Sequence, residues 1–188
     1  MPILSLRAIT SAAMVSAAIL AAPALAQDNP EVGGAPMFAD RNIIENAVNS
    51  ADHTTLVAAV QAAGLVETLQ GEGPFTVFAP TNAAFDALPE GTVETLLMAE
   101  NLGTLQTILT CHVVGANALS SDIAGMAAEG GGTFEIETVG GCVFGVTVDG
   151  DMVMITDEMG GVANVTIADV IQSNGVIHVI DAVLLPAM

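Results

Sequence analysis

Hydrophobic positions change their period at Gly130-Gly131-Gly132. Before it they repeat every three or four residues. In Thr54 to Gly64, Leu56, Val60 and Ala63 fall on one helix face, and Gly64 is placed to stop that helix. Leu102, Leu105, Ile108 and Leu109 repeat the spacing between Asn101 and Thr110. Between these segments Pro74 to Pro80 (PFTVFAP) is a β-rich run bounded by prolines. Thr81 follows as an N-cap for a short helix through Phe85 to Leu88. Beyond the triple glycine the period falls to two. Val143 to Val148 sets Phe144, Val146 and Val148 on one face, Asp149-Gly150 is a hairpin signal, and Met152 to Ile155 is expected to return antiparallel. Ala163 to Ile167, Ala168 to Ile171 and Val176 to Leu185 supply further strands. Helices first and strands later give an α+β class with a largely antiparallel sheet.

The last of these strands contains two polar residues. Side chains alternate along a strand, so His178 and Asp181, three apart, are expected on opposite faces. His178 would share a side with Val176, Ile180 and Leu184, and Asp181 with Ile177, Val179 and Val183. Both faces are apolar, the pattern of a strand buried on both sides. The two residues then form no acid–base couple. Each is expected as a buried polar group satisfied by hydrogen bonds.

The chain starts differently. Residues 1–26 run from a basic start through an Ala-rich apolar stretch to Ala24-Leu25-Ala26, the layout of a cleaved secretory signal peptide. Residues 27–40, with two Pro and two Gly, read as a flexible leader, and 41–188 as the folded body. Of 188 residues, 2 are Lys or Arg and 21 are Asp or Glu. Loss of Arg7 with the signal peptide takes the formal charge from −19 to −20 and leaves Arg41 as the one strong cation. Phosphate-directed nucleic-acid binding and adsorption to anionic lipid both need clustered cations, so both are disfavoured, and no membrane insertion is expected after signal cleavage because no later segment is long enough to span. The acidity reads first as a solubility device, with a specific cationic partner as the other reading. Cys111 and Cys142 both lie beyond the leader. In an exported chain such a pair is expected as a disulfide, the alternative being two buried thiols.

Catalytic and metal signatures are missing. No Cys or His pair has zinc spacing, and the order of Asp149, Asp151, Asp157 and Glu158 does not fit an EF-hand. There is no nucleophile elbow, P-loop or dinucleotide fingerprint. The 9 methionines, Met152, Met154 and Met159 among them, are expected to fill the core of a chain without Trp or Tyr. A groove for an apolar ligand is the sharper reading of the same residues.

Two blocks remain, Gly73 to Leu88 (GPFTVFAPTNAAFDAL) and Ser173 to Pro186 (SNGVIHVIDAVLLP), with Leu109 to Val114 (LTCHVV) between them. Together they resemble the fasciclin domain over roughly Asn42 to Pro186. The resemblance implies a wedge of about seven mostly antiparallel strands with helices packed on one side. It implies a small bacterial member, secreted or periplasmic, acting as a non-enzymatic interaction or adhesion module without a cofactor. The partner would be a surface protein or polysaccharide. The alternative it leaves is a carrier of a lipid or pigment in an apolar groove. The positions that carry the resemblance are expected to be structural: Phe75, Thr76, Phe78, Pro80, Thr81, Phe85, His112, Asn174, Gly175, His178, Asp181 and Pro186. Cys111 stands where the family has a tyrosine, and there is no Arg-Gly-Asp, so integrin-type recognition is not carried over. Cys111 and Cys142 look instead like a clamp between the helical half and the sheet.

Overall fold

The computed structural model describes residues 29–150 and 152–187, and the expected signal peptide lies outside them. The chain opens with a small hairpin, β1 (Glu31–Val32) and β2 (Ala35–Pro36). Helices α1 (Ile43–Ala47), α2 (Thr54–Ala62) and α3 (Val66–Leu69) lead to strand β3 (Phe75–Pro80). Then come α4 (Asn82–Asp86), α5 (Thr92–Leu96), α6 (Leu102–Cys111), the short β4 (Val113–Val114) and α7 (Ser120–Glu129). Strands β5 (Thr133–Glu137), β6 (Val143–Asp149), β7 (Met152–Thr156), β8 (Val162–Gln172) and β9 (Gly175–Ile180) complete the fold.

Local signals set the helix ends. Thr81 accepts a hydrogen bond from the Ala84 N–H at 3.3 Å, the expected N-cap. Asn42 and Glu45 form a reciprocal capping box on α1, both bonds 2.9 Å. Gly64 follows α2 at φ 70°, and the Leu65 N–H returns to the Val60 carbonyl in a Schellman closure.

The main sheet has seven strands in the order β4-β3-β9-β8-β7-β6-β5. β3 and β9 are parallel, Phe75 opposite Gly175 through Pro80 opposite Ile180, and every other neighbouring pair is antiparallel. The β3–β9 pair divides the core. Val77, Ala79, Ile177 and Val179 face a cluster built with α1, α2, α4 and α6. Phe78 and Ile180 face a second cluster with Phe144, Ile155 and Ile123 of α7. Cys111 and Cys142 are joined, Cα atoms 5.5 Å apart, within this second cluster. The bridge ties the end of α6 to the start of β6. The Val139 N–H bonds the Val113 carbonyl beside it, so opposite ends of the sheet order meet.

Four expectations need correction. Residues 31–37 are not a loose leader: Val32 and Met37 are buried against the first cluster. The two strands expected over 163–171 are one strand, β8, kinked by register shifts between Val165 and Val170, with Asp169 at φ 58°. The last strand ends at Ile180 rather than Leu185, and Asp181 is exposed. Period-two apolarity continues past the strand because Val183 and Leu184 still enter the core from irregular backbone. Met152 and Met159 are not core fillers; they are 57% and 66% exposed.

Reduction of the Cys111–Cys142 bridge, with a sequence separation of 31, should lower unfolding stability by about 3–4 kcal/mol. Urea midpoints with and without reductant measure the loss, and an unchanged midpoint would contradict this role.

Candidate functional site

The residues shared by the two sequence blocks meet at the β3–β9 pair, where the geometry is that of a polar frame. Thr76 is fully buried. Its hydroxyl donates to the Ala116 carbonyl at 2.6 Å and accepts from the Ala118 N–H at 2.9 Å. His178 stacks on Phe78, its register partner, with ring centroids 5.8 Å apart. His178 Nε2 donates to the Ala118 carbonyl at 2.8 Å, and Nδ1 accepts from the Asp169 N–H. Two side chains from adjacent strands thus hold one loop. Asn174 does the same for the helical side: its amide donates to the Leu69 and Gly71 carbonyls and its oxygen accepts from the Ile43 N–H. A side chain on Gly175 would run into the Phe75 carbonyl. Phe75 is half-buried, Phe85 packs in the first cluster, and Pro80 and Pro186 are buried.

His112 frames the C-terminal segment. Nδ1 donates to the Ile108 carbonyl at 2.8 Å, so Nε2 is the acceptor for the Leu184 N–H at 3.0 Å. Burial pushes its pKa down to about 4, against weaker opposing pulls from the Ile108 carbonyl and Asp157. Burial likewise lowers that of His178. Each ring uses one nitrogen as an acceptor of a backbone N–H, so each is held neutral. Asp157 is buried and accepts the Met159, Gly161 and Leu185 N–H groups. Glu158 takes the Val143 and Ala187 N–H groups, and these bonds lower its pKa. Among the described residues no cluster of His, Cys, Asp and Glu is arranged to hold a metal.

His178 and Asp181 are not brought together. Asp181 instead accepts from the backbone and side-chain amides of Asn164, at 2.7 and 2.8 Å. A different trio, Ser120, Asp169 and His178, is close, but its wiring is wrong for nucleophilic catalysis. The Asp169 carboxylate takes both the N–H and the hydroxyl of Ser120, at the N-terminus of α7. The serine is paired with a carboxylate and not with a histidine, and the His178 Nδ1 meets a backbone N–H rather than a carboxylate.

Several frame residues were not anticipated. Asn46, fully buried in α1, bonds the Phe38 backbone in both directions and donates to Gln172. Asn82 reaches back to Ala51, Thr54 and Thr55. A polar residue beside Ile43 and Ile44 in an apolar helix was the available signal for Asn46. Asp169 had none, because its role depends on the β8 kink.

An apolar cavity of about 70 Å³ lies in the first cluster, lined by Ile44, Leu56, Val60, Val77 and Ile177 among others. His53 borders it, with Nδ1 at 2.8 Å from the Ser50 hydroxyl and Nε2 without a hydrogen-bond partner. Burial lowers its pKa. The Ala79 backbone is near enough to oppose that shift without being aligned as a hydrogen bond. An apolar cavity of roughly 150 Å³ holds one benzene, so this space is small for a lipid or pigment; a larger pocket of about 270 Å³, among Glu72, Pro74, Leu119, Ile171 and Asn174, has a mixed polar and apolar lining.

The Fasciclin domain family model matches residues 51–186, the span that carries this frame. The chain belongs to the fasciclin family. Protein sll1483 of Synechocystis sp. is 48% identical to this fasciclin chain over 151 residues, covering 78% of it and 74% of the relative. The transforming growth factor-beta-induced protein ig-h3 of Sus scrofa is 40% identical over 131 residues, which are 70% of this chain and 17% of that protein. Among solved structures, a FAS1 domain pair from the insect cell adhesion molecule Fasciclin I matches with a TM-score of 0.69 at 20% identity, over 77% of this chain and 51% of that one. This last likeness bears on the fold. The seven-stranded sheet with flanking helices is the fasciclin architecture, and the residues of the fasciclin blocks are its internal frame.

Two outcomes are expected. Asn174→Ala leaves three backbone groups, two of them buried, without partners and should cost about 3 kcal/mol, against about 1 for the exposed Asp181→Ala; equal losses in denaturant melts would contradict this frame. In acid, the unfolded chain takes up a proton at His112 near pH 6.5, while the folded chain resists until about pH 4. The stability His112 contributes is therefore complete above about 6.5 and falls through this window, by about 3 kcal/mol. His112→Asn should flatten that part of a stability–pH curve, and an unaltered slope would rule out the assignment.

Proposed function

We propose that this fasciclin domain is an exported, non-enzymatic interaction module that holds another extracellular or cell-surface component through its outer surface. One observation carries the reading. Within the fasciclin blocks, the buried polar side chains Thr76, His112, Asn174 and His178 are spent on the protein's own backbone, while Asp86 and Ser173 face outward. Recognition is left to what faces outward.

Other observations agree with it. The family likeness in ig-h3 covers a small share of a much longer protein, which fits a domain used as a building block. The solved relative comes from a cell adhesion molecule. The disulfide fits an oxidising compartment. No helix among the described residues is long and apolar enough to cross a membrane. The apolar cavity of the first cluster, at about 70 Å³, is small for a lipid or pigment.

Purified protein, fluorescently labelled, should bind intact cells or isolated envelope of its own host in a dose-dependent, saturable way. An excess of unlabelled protein should compete. Absence of saturable binding to cells, envelope and secreted matrix alike would overturn the proposal.

A further inference from the structure

The outward face of strands β5 to β8 is uncovered. Along these strands Phe144, Val146, Ile155 and Ala163 point inward, so the alternate residues point out. Three of these are large and apolar: Val143 is 43% exposed, Met152 57% and Val162 50%. Register spreads them over the face, each opposite a polar partner: Val143 opposite Glu137, Met152 opposite Asp149 and Val162 opposite Thr156. Thr147 sits opposite Met154. Gly145, opposite Glu135, adds no side chain and keeps the middle flat. The same face carries exposed carboxylates at its margin. Glu137 pairs across from Val143, Glu135 is next along β5, and Asp149 ends β6 beside Met152.

We propose that this face is the docking surface of the adhesion module, and that its partner is a cationic protein segment that sets apolar side chains on Met152, Val162 and Val143 while its Lys or Arg residues meet the marginal carboxylates. The proposal rests on the interaction reading above and names its partner class. Charge selects the occupant. After residue 26 the chain has 1 strong cation, Arg41, and its guanidinium is taken up over the Phe38 ring, 4.5 Å from the centroid. Nothing on the face therefore neutralises Glu135, Glu137 and Asp149, and a field of one sign steers a partner of the other. The same field repels nucleic acid, anionic lipid and acidic polysaccharide. Neutral sugars are recognised largely by stacking on exposed aromatic rings. The chain has no Trp or Tyr, and none of its well-exposed large hydrophobic residues is aromatic. Methionine adapts its flexible side chain to an irregular apolar partner, which suits a peptide surface.

The test uses isotopically labelled protein with the disulfide intact and a synthetic amphipathic helix of lysine and leucine as probe. Amide shifts should concentrate in β6, β7 and the Val162 end of β8. The double variant Met152→Ser/Val162→Ser should weaken binding about tenfold or more. Glu135→Gln/Glu137→Gln should weaken it and flatten its salt dependence. Val48→Ser, which removes an apolar side chain 51% exposed elsewhere, should leave it unchanged. Shifts spread over the rest of the surface, or wild-type affinity in the Met152/Val162 variant, would overturn the proposal. So would binding of phosphatidylcholine vesicles through this face in preference to the peptide. The same variants belong in the cell-binding assay. If wild type binds cells and the Met152/Val162 variant binds equally, the face is wrong while the adhesion reading stands. If wild type binds no surface at all, the adhesion reading fails whatever the peptide does.

Discussion

The parallel pairing of β3 with β9 is the constraint on which the rest of the structure depends. Phe75 meets Gly175 about 100 positions later. Closing a loop of that length costs roughly 4 kcal/mol in chain entropy before any contact repays it. Repayment comes from burial on both faces: Val77, Ile177 and Val179 in the helical cluster, Phe78 and Ile180 in the other. A single parallel ladder inside an otherwise antiparallel sheet thus supplies a wall to two cores. The intervening elements, from α4 to β8, are disposed around it.

A pair of strands buried on both sides has no solvent to satisfy polar groups that approach it, and the fasciclin blocks answer that need from within. Thr76 and His178 secure the loop before α7, His112 secures the segment after β9, and Asn174 secures the turn into β3 and the start of α1. The two histidines do this in opposite tautomers, each chosen by a backbone carbonyl on one side and a backbone N–H on the other. Such rings fix position only while neutral. Residue types that elsewhere serve catalysis are here consumed by architecture.

The exterior is acidic and, among the described residues, no aromatic ring is well exposed. A chain with 21 carboxylates and 2 Lys or Arg residues, Arg7 near its start and Arg41, keeps other anions at a distance and is screened by salt. The half of the sheet built from β5 to β8 differs from the β3–β9 half in how it is covered. Its inner face is covered by α7 and its own curled neighbours, and its outer face is bare.

The sequence by itself determined a good part of this. Periodicity located α2, α6, β6 and β7, Thr81 capped its helix, and the quoted blocks led to the fold. The cysteine count and an oxidising compartment pointed to the bridge. These are local or compositional signals, and they survive without knowledge of neighbours. Tertiary structure alone decided which face each residue met. Asp181 kept the alternation of a strand but lies outside one, since β9 loses its partner where β3 gives way to α4. Val32 and Met37 sit among Pro and Gly, yet a hairpin lays them on the core. Met152 looks like a core residue in sequence, but the inner places were already filled by Val153 and Ile155 and no element covers the other side. Alternation says that two faces differ. Only long-range packing says which of them is covered, because burial belongs to contacts between segments far apart in the chain.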